Sequence, residues 1–316
     1  MTATAIAMER QTPRDAAREA LRLYMMRTGQ SVGQIADRIG MARSSLLQFQ
    51  AHGKYGDGQG IGTAERIQDF IRSNPPEAPA KPGERLYETE NVRIIDHAIR
   101  QVQRGHWVLL YGAPATQKSF VFEWRMAEAW EKALEPAVVY IYAQVNMAPL
   151  ALLRAIALGL GAYLQNDRDG MVRSILYVLR RRRSPVAVIV DEAQHLAKRL
   201  DTLEILRECA DRGHIGLLVA GHDNVEDIFQ PRADCQLEQW RSRIEQHRYA
   251  LPGLAEKEAR EILAGELGAL PERTIHTFCE GSVVKDTRKR NDYISARRLF
   301  NAIRDFREKR GGAKAN

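Results

Sequence analysis

Trp107-Val108-Leu109-Leu110-Tyr111-Gly112-Ala113-Pro114-Ala115-Thr116-Gln117-Lys118-Ser119 is the stretch whose reading decides the fold. An apolar run ends in a loop that closes on Lys-Ser, and 120–127 continues with a helical pattern. Strand, loop and helix in this order match the phosphate-loop template G-x-x-x-x-G-K-[ST], with Gln117 in place of the second glycine. Backbone N–H groups of such a loop and of the following helix N-terminus point at phosphate oxygens. Gly112, Ala113, Pro114, Ala115, Thr116 and Gln117 are therefore a candidate cradle for ATP. Lys118 would reach the β- and γ-phosphates, and the Ser119 hydroxyl would hold Mg²⁺. Taken alone, the loop is also compatible with an ordinary turn that ends in Lys-Ser.

Outward from the loop, strands alternate with amphipathic helices, which predicts an α/β fold with a largely parallel sheet. Helices are expected over 92–103, 150–160 and 169–182, and a second strand over 137–142. The run 185–190 is a buried strand ending in Asp191-Glu192. Next to a phosphate loop, the first acid assists Mg²⁺ and the second polarises the attacking water. A helix cap is the alternative, since acids favour helix N-termini. The two motifs together are far more specific than either. A further buried strand, 215–221, ends at His222, a candidate neighbour of the γ-phosphate. Arg241 and Arg243 are candidates for a finger acting on a neighbouring subunit's nucleotide; a solvated basic face is the alternative for at least one of them.

Upstream, 14–28 is a helical pattern that stops at Gly29. Ser31 is an N-cap candidate for the next helix, and Gly40 supplies a tight turn before another. With Ala36, Gly40 and Leu46 at the expected spacing, 14–73 resembles the repressor-type helix-turn-helix family. That resemblance implies DNA-facing roles for Arg43, Ser44, Ser45 and Gln48 at the start of the second helix. A small helical bundle for protein contact is the alternative. The segment 74–83 holds four of the twelve prolines and reads as an extended spacer that lets the N-terminal unit move.

Residues 91–306 resemble the AAA+ ATPases. The run Asp191-Glu192-Ala193-Gln194-His195-Leu196 is similar to that of the transposition regulator group, which includes phage Mu transposition protein B, TniB and TnsC. The secretion ATPase ExeA shares this wording. The resemblance implies a helix-turn-helix domain over 1–73, a linker over 74–90, an α/β ATPase core over 91–253 and a helical lid over 254–316. Three lid helices are expected, with 255–267 the first, 271–280 the second, and the third beginning at Tyr293. In the Ala-Arg-Arg-Leu passage, Arg297 matches the lid's arginine sensor. The family's activity would be ATP hydrolysis, slow and DNA-stimulated. The implied partners are double-stranded DNA, a transposase and further copies of the chain in a ring or filament. Alternatives are a non-hydrolysing nucleotide sensor that binds DNA, or a loader or secretion-type ATPase.

The net charge of +7 favours an acidic partner such as nucleic acid. Basic runs at 180–183, which contains Arg181 and Arg182, and at 287–290 and 304–310 are candidate phosphate contacts. Cys209, Cys235 and Cys279 form no C-x-x-C pair, which excludes a zinc ribbon. With no signal-peptide pattern and no apolar run near the ~18 residues of a membrane span, a cytoplasmic protein without a membrane role is expected.

Overall fold

The strands β1 (Trp107–Gly112), β2 (Val138–Tyr142), β3 (Ala187–Asp191), β4 (Gly216–Gly221) and β5 (Arg248–Leu251) form one sheet in the order β2-β3-β4-β1-β5. Every neighbouring pair is parallel. The computed structural model describes residues 13–52, 60–75, 81–131, 138–180, 185–229, 237–285 and 292–312. β3 and β4 are buried along their whole length, which is why both read as unbroken apolar runs. β5 is an edge strand of mixed character, Arg-Tyr-Ala-Leu, with only Leu251 fully buried, and the sequence reading did not identify it as a strand. β4 separates β1 from β3, so the residue after β4 falls between the phosphate loop and the Asp-Glu pair.

Helix α5 (Glu90–Gln103) lays Val92, Ile95, Ile99 and Val102 on the sheet, joining a core that includes Val108, Leu110, Phe122, Ile189 and Leu218. Gly216 opens β4 beneath this helix, where a Cβ would sit 1.8 Å from the Val102 carbonyl oxygen. At the opposite face of β1, Trp107 meets Trp240 of α11 (Glu238–Ile244) at 4.9 Å between ring centroids. The remaining core helices are α6 (Lys118–Glu131), α9 (Leu200–Gly213) and the short α10 (Val225–Ile228).

The lid is built from α12 (Glu256–Leu267), α13 (Glu272–Ser282) and α14 (Ala296–Gly312) around Ile262, Leu263, Phe278, Leu299 and Ile303. One expectation is corrected here. Tyr293 and Ile294 do not begin the third helix; as β7 they pair antiparallel with β6 (Val283–Val284), and Ile294 also bridges Leu254. The hairpin covers the end of the lid core, and α14 starts only after it. Among the described residues, no helix is long and apolar enough to cross a membrane.

A second compact unit comprises 1–78 together with 149–182. It contains α1 (Pro13–Thr28), α2 (Val32–Ile39), α3 (Arg43–His52) and α4 (Ile61–Ser73). It also takes in α7 (Pro149–Leu160) and α8 (Arg168–Leu179), which the sequence reading placed with the α/β core. Chemistry explains the reassignment. Arg22 of α1 donates to the Leu160 carbonyl at 3.0 Å, and the Tyr163 hydroxyl donates to the Leu47 carbonyl at 3.0 Å. Gly161, with φ +64, lies so close to Arg22 that a Cβ would meet its carbonyl oxygen at 2.4 Å. The spacer over 74–83 is therefore not the only covalent link between the two units.

Within this unit, Ser31 caps α2 in a capping box with Gln34, and Gly40 ends it at φ 71, ψ 43. Ile35, Ala36, Leu46 and Phe49 are fully buried. Gly40→Ala forces a Cβ into the left-handed region and is expected to cost about 1 kcal/mol. Thermal unfolding of the variant checks this; a midpoint equal to the parent's would contradict it.

Candidate functional site

Residues 113–117 carry the chain from β1 into α6. Gly112 lies against the edge strand, where a Cβ would come 2.7 Å from Leu251 Cβ. Ala115 and Gln117 take left-handed backbone, at φ 65 and φ 69. The loop folds over Lys118, whose Nζ donates to the Gly112 carbonyl at 2.9 Å, the Ala113 carbonyl at 3.2 Å and Thr116 Oγ1 at 3.2 Å. Lys118 is only 6% exposed. Burial holds its ammonium below the usual lysine range, against the opposing pull of Asp191 and Glu192.

The two motifs meet directly. Ser119 Oγ donates to Asp191 Oδ2 at 2.6 Å across 72 residues of chain. The Tyr140 hydroxyl donates to the same oxygen at 3.1 Å, and the Glu192 N–H donates to Oδ1 at 2.9 Å. Burial raises the Asp191 carboxyl above its usual range, while these hydrogen bonds favour the charged form. Burial also raises the Tyr140 phenol, so it stays a donor at neutral pH. The Ser119 and Asp191 oxygens are the hard donors that Mg²⁺ takes, with phosphate and water oxygens to complete its shell.

Glu192 does not cap a helix. It sits at φ 54, ψ 35 before a single 3-10 turn, Ala193–Leu196, and makes no side-chain cap bond. The Gln194 amide donates to Glu192 Oε2 and accepts the His222 N–H on its own Oε1 at 3.2 Å. His222 Nε2 lies 3.5 Å from Glu192 Oε2. Burial holds His222 below the usual imidazole range, so it is neutral at pH 7 and meets the carboxylate as a dipole. Gly221 makes room for this arrangement, since a Cβ there would meet Gln194 Oε1 at 2.4 Å.

The loop, Glu192 and the lid face one cavity of about 820 Å³. Its lining includes 114–119, Glu192, His222, the segment 82–85, and Arg297, Arg304 and Arg307 of α14. Tyr293 of the lid hairpin donates to the Pro114 carbonyl at 3.3 Å. Lys118, Ser119, Asp191, Glu192 and His222 are thus gathered at the C-terminal end of the sheet, with Arg297 on the same cavity.

Arg241 and Arg243 are not there. Arg243 stacks its guanidinium 4.6 Å from the ring centroid of Trp107, the first residue of β1, and pairs with Asp211. Arg241 donates to the Phe229 carbonyl at 3.0 Å. Both stand away from their own chain's cavity, and Arg243 is engaged within its own fold. In the helical unit, Arg43, Ser44 and Gln48 are exposed on α3. Ser45 is not: at 3% exposure it shares the inward face with Phe49, one helical turn on, and the expected DNA-facing role for it is corrected. Arg181 and Arg182 lie outside the described residues.

Three contributors escaped the sequence reading. Tyr140 carries a polar tip within a strand of valines, isoleucine and tyrosines. Thr89 stands as the N-cap of α5 and donates to Gln117 Oε1 at 3.0 Å. Gln194 lies inside the acidic run, two residues after Glu192, where catalysis was sought. Each is visible only once strand register and loop geometry are known.

Residues 101–229, less than half of the chain, match the AAA domain family. Among solved structures, the chain is similar to the Aeropyrum pernix Orc1 protein, solved in complex with DNA. The TM-score is 0.50 at 20% identity, over 72% of this chain and 62% of that one. It is also similar to Cdc6p from Pyrobaculum aerophilum, with TM-score 0.42 and 19% identity over 60% of this chain and 51% of that one. AMPPCP-bound DnaA from Aquifex aeolicus gives TM-score 0.47 and 14% identity over 71% and 64%. The chain spans between half and two thirds of the length of these three proteins. No curated protein sequence matches it. With the five-stranded parallel sheet, the matched domain and the Orc1 likeness together, the fold is that of an AAA+ P-loop ATPase.

Proposed function

We propose that this protein is an ATP-hydrolysing, DNA-binding factor of DNA transposition. It assembles as a ring or filament on double-stranded target DNA, recruits and stimulates a transposase, and leaves the DNA when ATP is hydrolysed. The observation that carries the ATPase half is the 2.6 Å hydrogen bond between Ser119 and Asp191, which unites phosphate loop and acidic strand end. The DNA half rests on the α2–turn–α3 arrangement and the exposed Arg43, Ser44 and Gln48. The run 191–196 is shared by the transposition regulators and the secretion ATPase, and the helix-turn-helix arrangement ahead of the ATPase core is what favours transposition over secretion.

Bound ATP supplies the phosphoryl group, and the chain positions it. Lys118 exchanges loop carbonyls for β- and γ-phosphate oxygens. Ser119 and Asp191 would hold Mg²⁺, with Tyr140 fixing the carboxylate. Glu192 orients the attacking water, released from Gln194. His222 stands beside the γ-phosphate, and Arg297 reports lid position. Arg241 or Arg243 would act on a neighbouring subunit's site; Arg243 would first have to leave Asp211.

The test is a duplex-binding titration with ATP, with ADP and without nucleotide, alongside phosphate release with and without duplex. ATP-dependent binding with DNA-stimulated release is expected. ATP-dependent binding without any release would instead favour the nucleotide-sensing regulator, to which the strained Gln117 gives some support. The identity of the neighbouring genes tests the transposition assignment: a transposase gene beside this one, whose product co-purifies with this protein, is expected.

For the helical unit, Arg43→Ala is expected to weaken duplex binding and to lower its salt slope by about 0.9, the value for one neutralised phosphate. Ser45→Ala, at a buried position, leaves the slope unchanged. An unaltered slope in Arg43→Ala would remove α3 from the DNA interface.

A further inference from the structure

We infer that Gln117 holds the nucleotide through its side chain: the side chain latches the phosphate loop to Thr89 and leaves its amide N–H₂ to donate to the nucleotide. The inference rests on the nucleotide reading of the cavity. Gln117 occupies the place where the loop template has glycine, and its φ of 69 is one that glycine adopts freely and a residue with a Cβ rarely does. Strain of this kind persists where surrounding structure over-determines it, and such places cluster at ligand sites. Here the determining contact is the Thr89 hydroxyl, which donates to Gln117 Oε1 at 3.0 Å.

Thr89 is itself immobile. It is 2% exposed, its Oγ1 accepts the Val92 N–H at 3.3 Å, and its own N–H donates to the Tyr87 carbonyl at 2.9 Å. With Oε1 committed to this fixed partner, Nε2 projects from the opposite side of the planar amide, and Gln117 lines the cavity. Ser119, Glu192 and His222 line the same cavity, so the Gln117 amide shares the space in which the nucleotide phosphates belong.

The test restores the template. Gln117→Gly is expected to weaken binding of fluorescent ADP and of a non-hydrolysable ATP analogue by about three- to tenfold, the worth of one hydrogen bond. Its ligand-free thermal midpoint should equal or exceed the parent's, because left-handed strain is relieved. Thr89→Ala should weaken binding by a similar factor, Thr89→Ser should not, and Thr89→Ala with Gln117→Gly should add nothing further. Binding in Gln117→Gly as tight as the parent's, or tighter, overturns the inference. So does equal loss in Thr89→Ser and Thr89→Ala. Lys118→Ala, measured in parallel, separates the two claims: undiminished binding there removes the nucleotide reading itself, whereas loss there with none in Gln117→Gly removes only the latch.

Discussion

Replacing Lys118 with alanine is expected to weaken ATP binding by about a hundredfold and to remove ATP-dependent complexes on duplex DNA. Charge-assisted hydrogen bonds to phosphate are worth about 1.5–3 kcal/mol each, and every 1.4 kcal/mol is tenfold in affinity. The ligand-free geometry makes the result readable. The Lys118 ammonium is 6% exposed and bonds neutral carbonyl and hydroxyl oxygens, and burial has already weakened its hold on the proton. Alanine removes a costly buried charge, so the ligand-free variant should melt no lower than the parent. ATP should raise the parent's stability by mass action, about 2.7 kcal/mol at a hundredfold excess over its Kd, and the variant's by only about 0.4 kcal/mol at the same concentration. Calorimetry and thermal melting with and without ATP measure both. A variant that kept ATP-dependent stabilisation and ATP-dependent duplex binding would break the mechanism at its first step.

What made these residues findable is local chemistry in fixed order. A strand, a loop and a helix start are contiguous, so Lys118 and Ser119 could be placed from spacing alone. Asp191 and Glu192 end an apolar run that burial on both faces makes unmistakable. His222 needed only a third such run. Contacts across the chain were harder to read. Tyr140 reaches Asp191 because β2 pairs with β3 in a register that sets Tyr142 opposite Asp191, and no local pattern encodes that register. The edge strand β5 went unseen because only one of its two faces is shielded and its residues mix charge with aromatic character. The helices α7 and α8 are correctly apolar and helical in the sequence, yet their partners are α1 and the Leu47 region, more than a hundred residues upstream. Amphipathicity tells that a face is buried, not against what. Ser45 illustrates the same limit in miniature: one step around α3 separates a solvent-facing serine from a buried one. The glutamine in the phosphate loop looked like a defect in the motif, and only the positions of φ 69 and Thr89 give it a partner.

The second large effect concerns turnover rather than binding. Glu192→Gln is expected to lower phosphate release at least about a hundredfold while ATP binding persists, because a general base or water-orienting carboxylate contributes roughly 10²–10⁴ to rate. The substitution keeps size and shape, so the left-handed backbone at φ 54, ψ 35 and the contact with Gln194 survive. What is lost is the negative charge that polarises water. Loss of that charge also removes repulsion toward the γ-phosphate, which favours the ATP state. If hydrolysis drives release from DNA, the variant accumulates on duplex in its ATP form and dissociates more slowly than the parent. Two readouts are therefore needed together: phosphate release per protomer, and the lifetime of ATP-loaded complexes on duplex after dilution. Unchanged release would take Glu192 out of the chemistry. Slowed release with an unchanged lifetime would keep Glu192 but uncouple hydrolysis from departure, leaving ATP binding alone to govern assembly on DNA.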